Sequence, residues 1–150
     1  AAEYGLEDKW IFSSAGTGAL VGHGVYEHVA NELIERGYNP EGFASRQLNE
    51  QIIENATIIL VAEKVHADWI VREWPQHHAK IKLLKQAARI REDARRAEPL
   101  SYLYAYGARP LDSDKLEDPY RRGPAAAKVA VDEVEQSLRV ILPWLAQAHR

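Results

Sequence analysis

A short apolar run at residues 57–61 (TIILV) constrains the fold of this chain more than any other feature. The run is rich in β-branched residues and shows no alternation of apolar and polar positions. Such a pattern is typical of a strand that is buried on both faces of a parallel sheet. Because helical patterns precede and follow the run, the sequence predicts an α/β domain with a mostly parallel sheet.

The other elements are predicted from apolar periodicity and from residues that start or stop helices. Strands are predicted at 10–12, 57–61 and 81–84, and helices at 26–36, 50–54, 66–74, 86–97 and 125–148. Asn49 is expected to cap the second helix, Pro124 lies in the first turn of the last helix, and Pro143 is expected to kink or end it. Residues 98–123, with three prolines and two glycines, are predicted to form a long loop.

The overall composition is that of an ordinary globular domain, with 150 residues of which 46% are apolar and 27% charged. We expect a single domain over residues 1–150. The net charge of −3 argues against a nucleic-acid partner. No apolar run approaches the roughly 20 residues that cross a bilayer and no secretory signal is recognised, so a cytoplasmic location without a membrane partner is expected.

The chain contains neither cysteine nor methionine. The lack of cysteine excludes disulfides, thiolate metal sites and cysteine nucleophiles within this chain. A natural translation product starts with methionine, so we expect this sequence to be a piece of a longer chain.

Four short motifs resemble segments of the low-molecular-weight protein tyrosine phosphatases, in the order of that family. Residues 14–17 (SAGT) are similar to the segment after the family's second strand, and 44–48 (ASRQL) to its ARQL segment. Residues 58–61 (IILV) resemble the third strand, and 118–123 (DPYRRG) the acid loop before the last helix. The likeness covers nearly the whole chain and implies a hydrolase with a three-layer, flavodoxin-like parallel sheet in the strand order 2-1-3-4.

The family's catalytic loop, C-x5-R-[ST], has no counterpart in this chain. In the family this loop binds phosphate through backbone amides at a helix N-terminus. Its cysteine thiolate attacks phosphorus, its arginine holds the phosphate oxygens, and water hydrolyses the resulting phosphocysteine. Residues 1–8 resemble the end of the first helix, so the resemblance implies an N-terminally incomplete domain that lacks the first, central strand. The Gly-rich stretch at 13–18 is then the neighbour of the phosphate loop, and the chain as given is expected to be inactive.

The resemblance assigns roles to five residues. Asp118 matches the general acid that protonates the leaving phenolate, although an Asp-Pro turn before a helix is an alternative explanation. Leu20 would contact the substrate, and Tyr120 would flank the substrate entrance or would be only a half-exposed aromatic residue of a loop. Leu20 stands where relatives often have tryptophan, so a preference for phosphotyrosine over other monoesters is left open. Ser14 and Thr17 would support the phosphate loop or would only cap local turns.

Three other features receive structural interpretations. Arg46 of the ASRQL motif is expected to form a structural salt bridge and not to hold phosphate. Tyr102, Tyr104 and Tyr106 alternate, which suits one side of a strand or a loop packed on the body of the domain. The six histidines show no ligand pattern, since the adjacent pair at 77–78 would point about 100° apart in a helix. No metal site is predicted.

The predicted function is that of a protein tyrosine phosphatase without a cofactor, in the intact protein. Its substrate would be a phosphotyrosine protein or another aryl phosphate monoester. The alternative is a non-catalytic binding protein on the same scaffold, a true truncation that forms a homodimer through exposed strands. Arsenate reduction, which some proteins of this fold perform, depends on several cysteines and is disfavoured.

Overall fold

The structure is a computed structural model of the 150-residue chain and describes residues 1–93, 98–105 and 109–149. In these ranges the helices and strands are α1 (Glu27–Glu35), α2 (Glu50–Asn55), β1 (Ile59–Val61), α3 (Lys64–Glu73), β2 (Ile81–Leu83), α4 (Leu84–Asp93), α5 (Pro99–Ala105) and α6 (Gly123–Leu145). Short 3-10 turns lie at Ala2–Tyr4, Pro75–Lys80, Asp112–Asp114 and Ala146–His149.

The sheet of the described residues consists of β1 and β2, which pair in parallel through the crossover helix α3. Ile59 lies opposite Ile81 and Val61 opposite Leu83. Successive residues of β1 pack into different apolar clusters: Leu60 joins the cluster with α4 and α6, whereas Ile59 and Val61 join the cluster with α2 and α3. The α/β class and the three-layer arrangement of helix, sheet and helix are therefore confirmed, as are strands within 57–61 and 81–84.

The larger cluster lies between the sheet, α4 and α6 and is centred on Trp144, which is 1% exposed. The smaller cluster joins the opposite face of the sheet to α2 and α3 through Ile53, Ile70 and Ile81. The long helix α6 thus forms one outer layer of the domain, and its last turns supply the largest buried side chain.

The predicted helices at 26–36, 50–54, 66–74 and 86–97 are confirmed with shifted ends, although residues 94–97 lie outside the described ranges. The Asn49 side chain accepts a hydrogen bond from the backbone N–H of Ile52 at 3.0 Å, as predicted for a cap. Pro143 does not end α6, which continues to Leu145. A proline near the end of a helix removes only the hydrogen bond that its own nitrogen would donate.

The predicted strand at 10–12 is wrong for the described structure. Ile11 is 97% exposed and Phe12 is half exposed, whereas Trp10 packs against the larger apolar cluster. A strand is defined by ladder hydrogen bonds to a neighbour, and no described strand lies alongside this segment. Further along the chain, an isolated parallel bridge joins Gly16 to Gln47.

The predicted long loop at 98–123 is wrong in its first part, because helix α5 lies there. Pro99 begins the helix, a position that proline tolerates well. The Glu98 carboxylate accepts a hydrogen bond from the backbone N–H of Ser101 at 2.7 Å, and this bond lowers the pKa of Glu98. Leu103 is fully buried and fixes the helix against the core.

Tyr102 and Tyr104 therefore lie on helix α5 and not on one side of a strand. Tyr102 packs edge-on against Trp144, with ring centroids 6.3 Å apart. The Tyr104 hydroxyl donates to the carbonyl oxygen of Thr57, just before β1. Tyr106 lies outside the described residues.

Helices in the described ranges are either too short or too polar to cross a lipid bilayer.

Candidate functional site

The SAGT and ASRQL motifs, about thirty residues apart in the chain, contact each other. The Gly16 N–H donates to the carbonyl oxygen of Arg46 at 2.8 Å, and the Leu48 N–H donates to that of Gly16 at 2.9 Å. The Arg46 guanidinium donates to the carbonyl oxygen of Ser14, at 3.2 Å from Nε and 2.9 Å from Nη2. These bonds reach a carbonyl and not a carboxylate, so the predicted salt bridge of Arg46 is wrong among the described residues.

Gln47 extends this support and was missed in the sequence. Its Nε2 donates to the carbonyl oxygen of Thr17 and its Oε1 accepts from the N–H of Ala19, both at 3.0 Å. The hydroxyl of Ser45 donates to the carbonyl oxygen of Leu20. An amide side chain can accept a hydrogen bond from one backbone N–H of a loop and donate one to a backbone carbonyl of the same loop. The presence of glutamine in the motif was therefore the available indication of this role. Thr17, like Ser14, contributes its carbonyl oxygen to these bonds, and a role for its hydroxyl stays a prediction.

A cavity of about 440 Å³ opens beside this supported loop. It is lined by Leu20, His23, Gly24, Val25, Tyr26, Ser45 and Tyr120. Leu20 and Tyr120, the two residues predicted to lie at the substrate site, therefore lie at one cavity although they are far apart in the sequence. Both side chains keep about half of their surface exposed, at 56% and 44%, so they are accessible to a ligand.

Tyr26 supplies an aromatic wall that sequence reasoning missed. Its ring packs edge-on against the ring of Tyr120, with the centroids 5.2 Å apart, and against His28 at 5.4 Å. The guanidinium of Arg121 lies over the Tyr120 ring, 5.0 Å from its centroid. Tyr26 precedes α1 at the N-cap position but makes no capping hydrogen bond there. An aromatic residue at a position that favours Asp, Asn or Ser was the signal available in the sequence.

Asp118 lies on the exposed turn that leads to this cavity. Its Oδ1 accepts a hydrogen bond from the backbone N–H of Tyr120 at 3.0 Å. This contact is the one expected of an Asp-Pro turn. Asp118 is not among the residues that line the cavity. The turn nevertheless fixes the position of Asp118 relative to Tyr120, which does line it.

The segment that carries Asp118 is anchored at the carboxyl end of β1. The Leu116 N–H donates to the carbonyl oxygen of Ala62 at 3.0 Å, and the Leu116 side chain is buried. Asp114 is 3% exposed and accepts hydrogen bonds from Nε and Nη2 of Arg89 at 3.1 and 2.7 Å. Asp114 and Arg89 were missed in the sequence, because nothing local shows that two residues on different elements will meet.

Asp114 is expected to contribute to stability in a pH-dependent way. Burial raises the pKa of its carboxyl, but the Arg89 guanidinium and the Leu111 N–H favour the carboxylate more strongly, so the pKa is lowered overall. This contribution is therefore complete above the unfolded-state pKa and is lost as pH falls through the lower folded-state pKa. We expect Asp114→Asn to reduce the free energy of unfolding by about 2–4 kcal/mol at neutral pH, measured by urea denaturation.

The same measurement near pH 3, where about half or more of unfolded-state aspartates are protonated, should show a smaller difference. Asp112→Asn is the matched control, because Asp112 lies two residues away and is exposed. It should change the free energy of unfolding by no more than about 0.5 kcal/mol. Equal losses in the two variants would contradict the anchoring role of Asp114.

The whole chain, residues 1–150, matches the family model described as low molecular weight phosphotyrosine protein phosphatase. Among curated proteins, it is similar to the low molecular weight protein-tyrosine-phosphatase Wzb of Escherichia coli K12, with 33% identity over 70 residues. That alignment covers 47% of this chain and 48% of the relative. The chain thus spans about half the length of the curated relatives it matches.

Solved structures share the fold. The tyrosine phosphatase amsI of Erwinia amylovora superimposes with a TM-score of 0.66 at 20% identity, covering 91% of this chain and 73% of the other. The YwlE arginine phosphatase of Geobacillus stearothermophilus superimposes with a TM-score of 0.68 at 25% identity, covering 89% and 72%.

Proposed function

The chain belongs to the low molecular weight phosphotyrosine protein phosphatase family, and on that basis we propose that the intact protein hydrolyses tyrosine phosphate monoesters through a cysteinyl-phosphate intermediate. The observation that carries this proposal is the cavity lined by Leu20, Tyr26 and Tyr120, together with the hydrogen bond that ties Asp118 to the backbone of Tyr120. An aromatic wall, an adjacent carboxyl group and a loop held by the ASRQL segment suit an aryl phosphate.

The nucleophile of this reaction has to come from outside the 150 residues, because the chain contains no cysteine. We propose that an N-terminal segment supplies a strand and a C-x5-R loop next to the SAGT loop. The geometry of the described residues is compatible with this, since β1 pairs with β2 on one side and the side chain of Ile11 is almost fully exposed. The 150-residue chain by itself would then be inactive.

In the proposed reaction the cysteine thiolate attacks phosphorus while the bond from phosphorus to the phenolic oxygen breaks. Asp118 gives its proton to the departing phenolate. A water molecule next attacks the phosphocysteine and returns a proton to Asp118, and the phosphorus–sulfur bond breaks to release phosphate and the thiolate. No cofactor is needed in either step.

The experiment that tests the proposal starts from the protein as its own cells make it. Its intact mass should exceed 16.9 kDa, iodoacetamide should add to at least one thiol, and the same treatment should stop release of phosphate from a phosphotyrosine peptide. A mass of 16.9 kDa without alkylation, or full activity after alkylation, would contradict the proposal. A phosphoarginine peptide belongs in the same assay, because one structural neighbour is an arginine phosphatase.

Tyr26→Ala is expected to weaken recognition of the aryl group. Aromatic contacts contribute about 0.5–1.5 kcal/mol each, so KM for an aryl phosphate should rise about two- to tenfold with little change in kcat. KM for an alkyl phosphate should not change. Steady-state kinetics with phenyl phosphate and a primary alkyl phosphate measure the difference in the intact protein.

Tyr38→Ala is the matched control for Tyr26→Ala. Tyr38 is also partly exposed, but its hydroxyl donates to Glu135 on α6, away from the cavity. Its removal should leave both KM values unchanged. An equal rise of KM for aryl and alkyl substrates in Tyr26→Ala would show that the ring does not contact the aryl group.

The alternative function, a non-catalytic protein that dimerises on the same scaffold, rests on the exposed apolar side chains of Ile11 and Phe12. Sedimentation velocity of the 150-residue chain at several concentrations tests it. A dimer in which Ile11→Asp restores a monomer would favour this alternative, and a monomer at all concentrations would remove it. The cytoplasmic location stays a prediction.

A further inference from the structure

Lys82 is a buried cation that the proposed reaction does not use. It occupies the middle of β2, opposite Leu60, and is only 8% exposed. Its Nζ lies 3.4 Å from the carbonyl oxygens of Ala79 and Ile81, which is long for a hydrogen bond. Burial lowers its pKa, and no described carboxylate raises it again. The ammonium group therefore lacks a counter-charge in the part of the chain that the structure describes.

The Lys82 side chain lines a second cavity, of about 600 Å³, which shares no lining residue with the cavity of Tyr26 and Tyr120. The cavity lies between α3, β2 and the end of α5. Much of its wall is apolar, formed by Ala67, Val71, Ile81, Leu83, Ala105 and Pro110.

The charges at the mouth of this cavity favour an anion. Asp68 is the carboxylate among its described lining residues, and it is neutralised by an ion pair with Lys64 one helical turn away. Arg72 lies on the same helix, and its exposed guanidinium forms an ion pair with the neighbouring Glu73, at 3.7 Å from Nε to Oε1. With these two exposed pairs neutralised, the positive charge left among the described lining residues is the buried ammonium group of Lys82.

We propose that this cavity, the Lys82 cavity, binds a small organic monoanion, a carboxylate with an apolar body. A buried charge is costly unless it is paired, and one carboxylate would neutralise one ammonium group. The apolar wall would bury the body of the same ligand, and the volume is within the range of small-molecule sites. A phosphate dianion fits less well, because it would bring more charge than one buried lysine neutralises.

A lysine on an edge strand also has a role that needs no ligand. Inward-pointing charges on edge strands prevent the pairing of one sheet with another, and β2 pairs only with β1 among the described strands. Binding of a carboxylate is expected only if Lys82 has the ligand-binding role and not if it only prevents sheet pairing. A titration with a carboxylate therefore distinguishes the two roles.

Titration calorimetry of the intact protein with benzoate tests the proposal. We expect saturable binding to the unaltered chain, and binding about tenfold weaker or worse to Lys82→Met, which keeps the length of the side chain and removes its charge. Benzamide, which has the shape of benzoate without the charge, should bind the unaltered chain about tenfold more weakly than benzoate.

Lys128→Met is the matched control, because it removes the same charge from an exposed position on α6, which contributes no lining residue. It should bind benzoate like the unaltered chain. The proposal is overturned if the unaltered chain shows no saturable benzoate binding, if benzoate and benzamide bind equally, or if Lys82→Met binds benzoate normally. The comparison of benzoate with benzamide uses the unaltered chain, so it decides the matter even if Lys82→Met folds poorly.

Discussion

Addition of an N-terminal strand, a C-x5-R loop and the start of a helix is expected to convert the 150-residue chain, which we propose is inactive by itself, into an aryl phosphatase. Such an extension needs roughly 20 residues. It supplies the thiolate that attacks phosphorus and the arginine that holds the phosphate oxygens, whereas the chain already holds the aromatic cavity and the turn of Asp118. We expect turnover of phenyl phosphate at least about a thousandfold above that of the 150-residue chain.

The extension should also stabilise the fold. A strand added beside β1 would pair with backbone groups that β2 does not use, and it would cover apolar side chains such as those of Ile11 and Phe12. Each apolar side chain buried in this way contributes about 1.5–3 kcal/mol. Thermal unfolding followed by circular dichroism should therefore show a higher midpoint for the extended chain.

The control for the extension carries serine in place of its cysteine. It should be as stable as the active version and should show no turnover, because serine in this loop is a poor nucleophile without an activating base. An extended chain that gains stability but no activity would sink the proposal that this chain holds the rest of the site. Equal activity of the serine version would sink the cysteinyl-phosphate mechanism.

The fold was predictable where local sequence is sufficient to specify it. The runs at 57–61 and 81–84 and the helical pattern between them correctly indicated β1, β2 and α3, because periodicity, β-branched residues and capping act within a few residues. The segment at 10–12 has the same local character but is not a strand, since a strand also needs a partner elsewhere in the chain. Helix α5 was not predicted, because the prolines and glycines of residues 98–123 suggested a loop. Pro99 is in fact the first residue of this helix.

The candidate site was predictable only where single motifs carry it. The motif at 118–123 identified Asp118 and Tyr120 as candidates, the family resemblance added Leu20, and the structure places Leu20 and Tyr120 at one cavity. Local patterns could not show that Tyr26 packs against Tyr120, or that Asp114 and Arg89 anchor the acid segment. These contacts join residues distant in the chain, and no periodicity specifies them.

Asp118→Asn in the intact protein is expected to lower kcat/KM for phenyl phosphate by about a hundredfold or more. Asparagine has nearly the same shape as aspartate, and its side-chain oxygen can still accept the hydrogen bond from the Tyr120 N–H, so the turn should persist. The variant loses the proton for the departing phenolate and the acceptor for the proton of the attacking water, and kcat/KM reports the first of these two steps. A substrate with a more acidic leaving group needs that proton less, so p-nitrophenyl phosphate should lose much less of its kcat/KM than phenyl phosphate.

The neighbouring carboxylate provides the control for this prediction. Glu117 is exposed and forms ion pairs with Arg122 and Lys115, and Glu117→Gln makes the same chemical change one residue earlier. It should alter kcat/KM less than about threefold, in keeping with the small contribution of exposed ion pairs. If Asp118→Asn kept full activity on phenyl phosphate, or if both substrates lost activity equally, Asp118 would be only a turn residue. The difference between the two leaving groups separates proton donation from a structural role, because a distorted turn would impair both substrates alike.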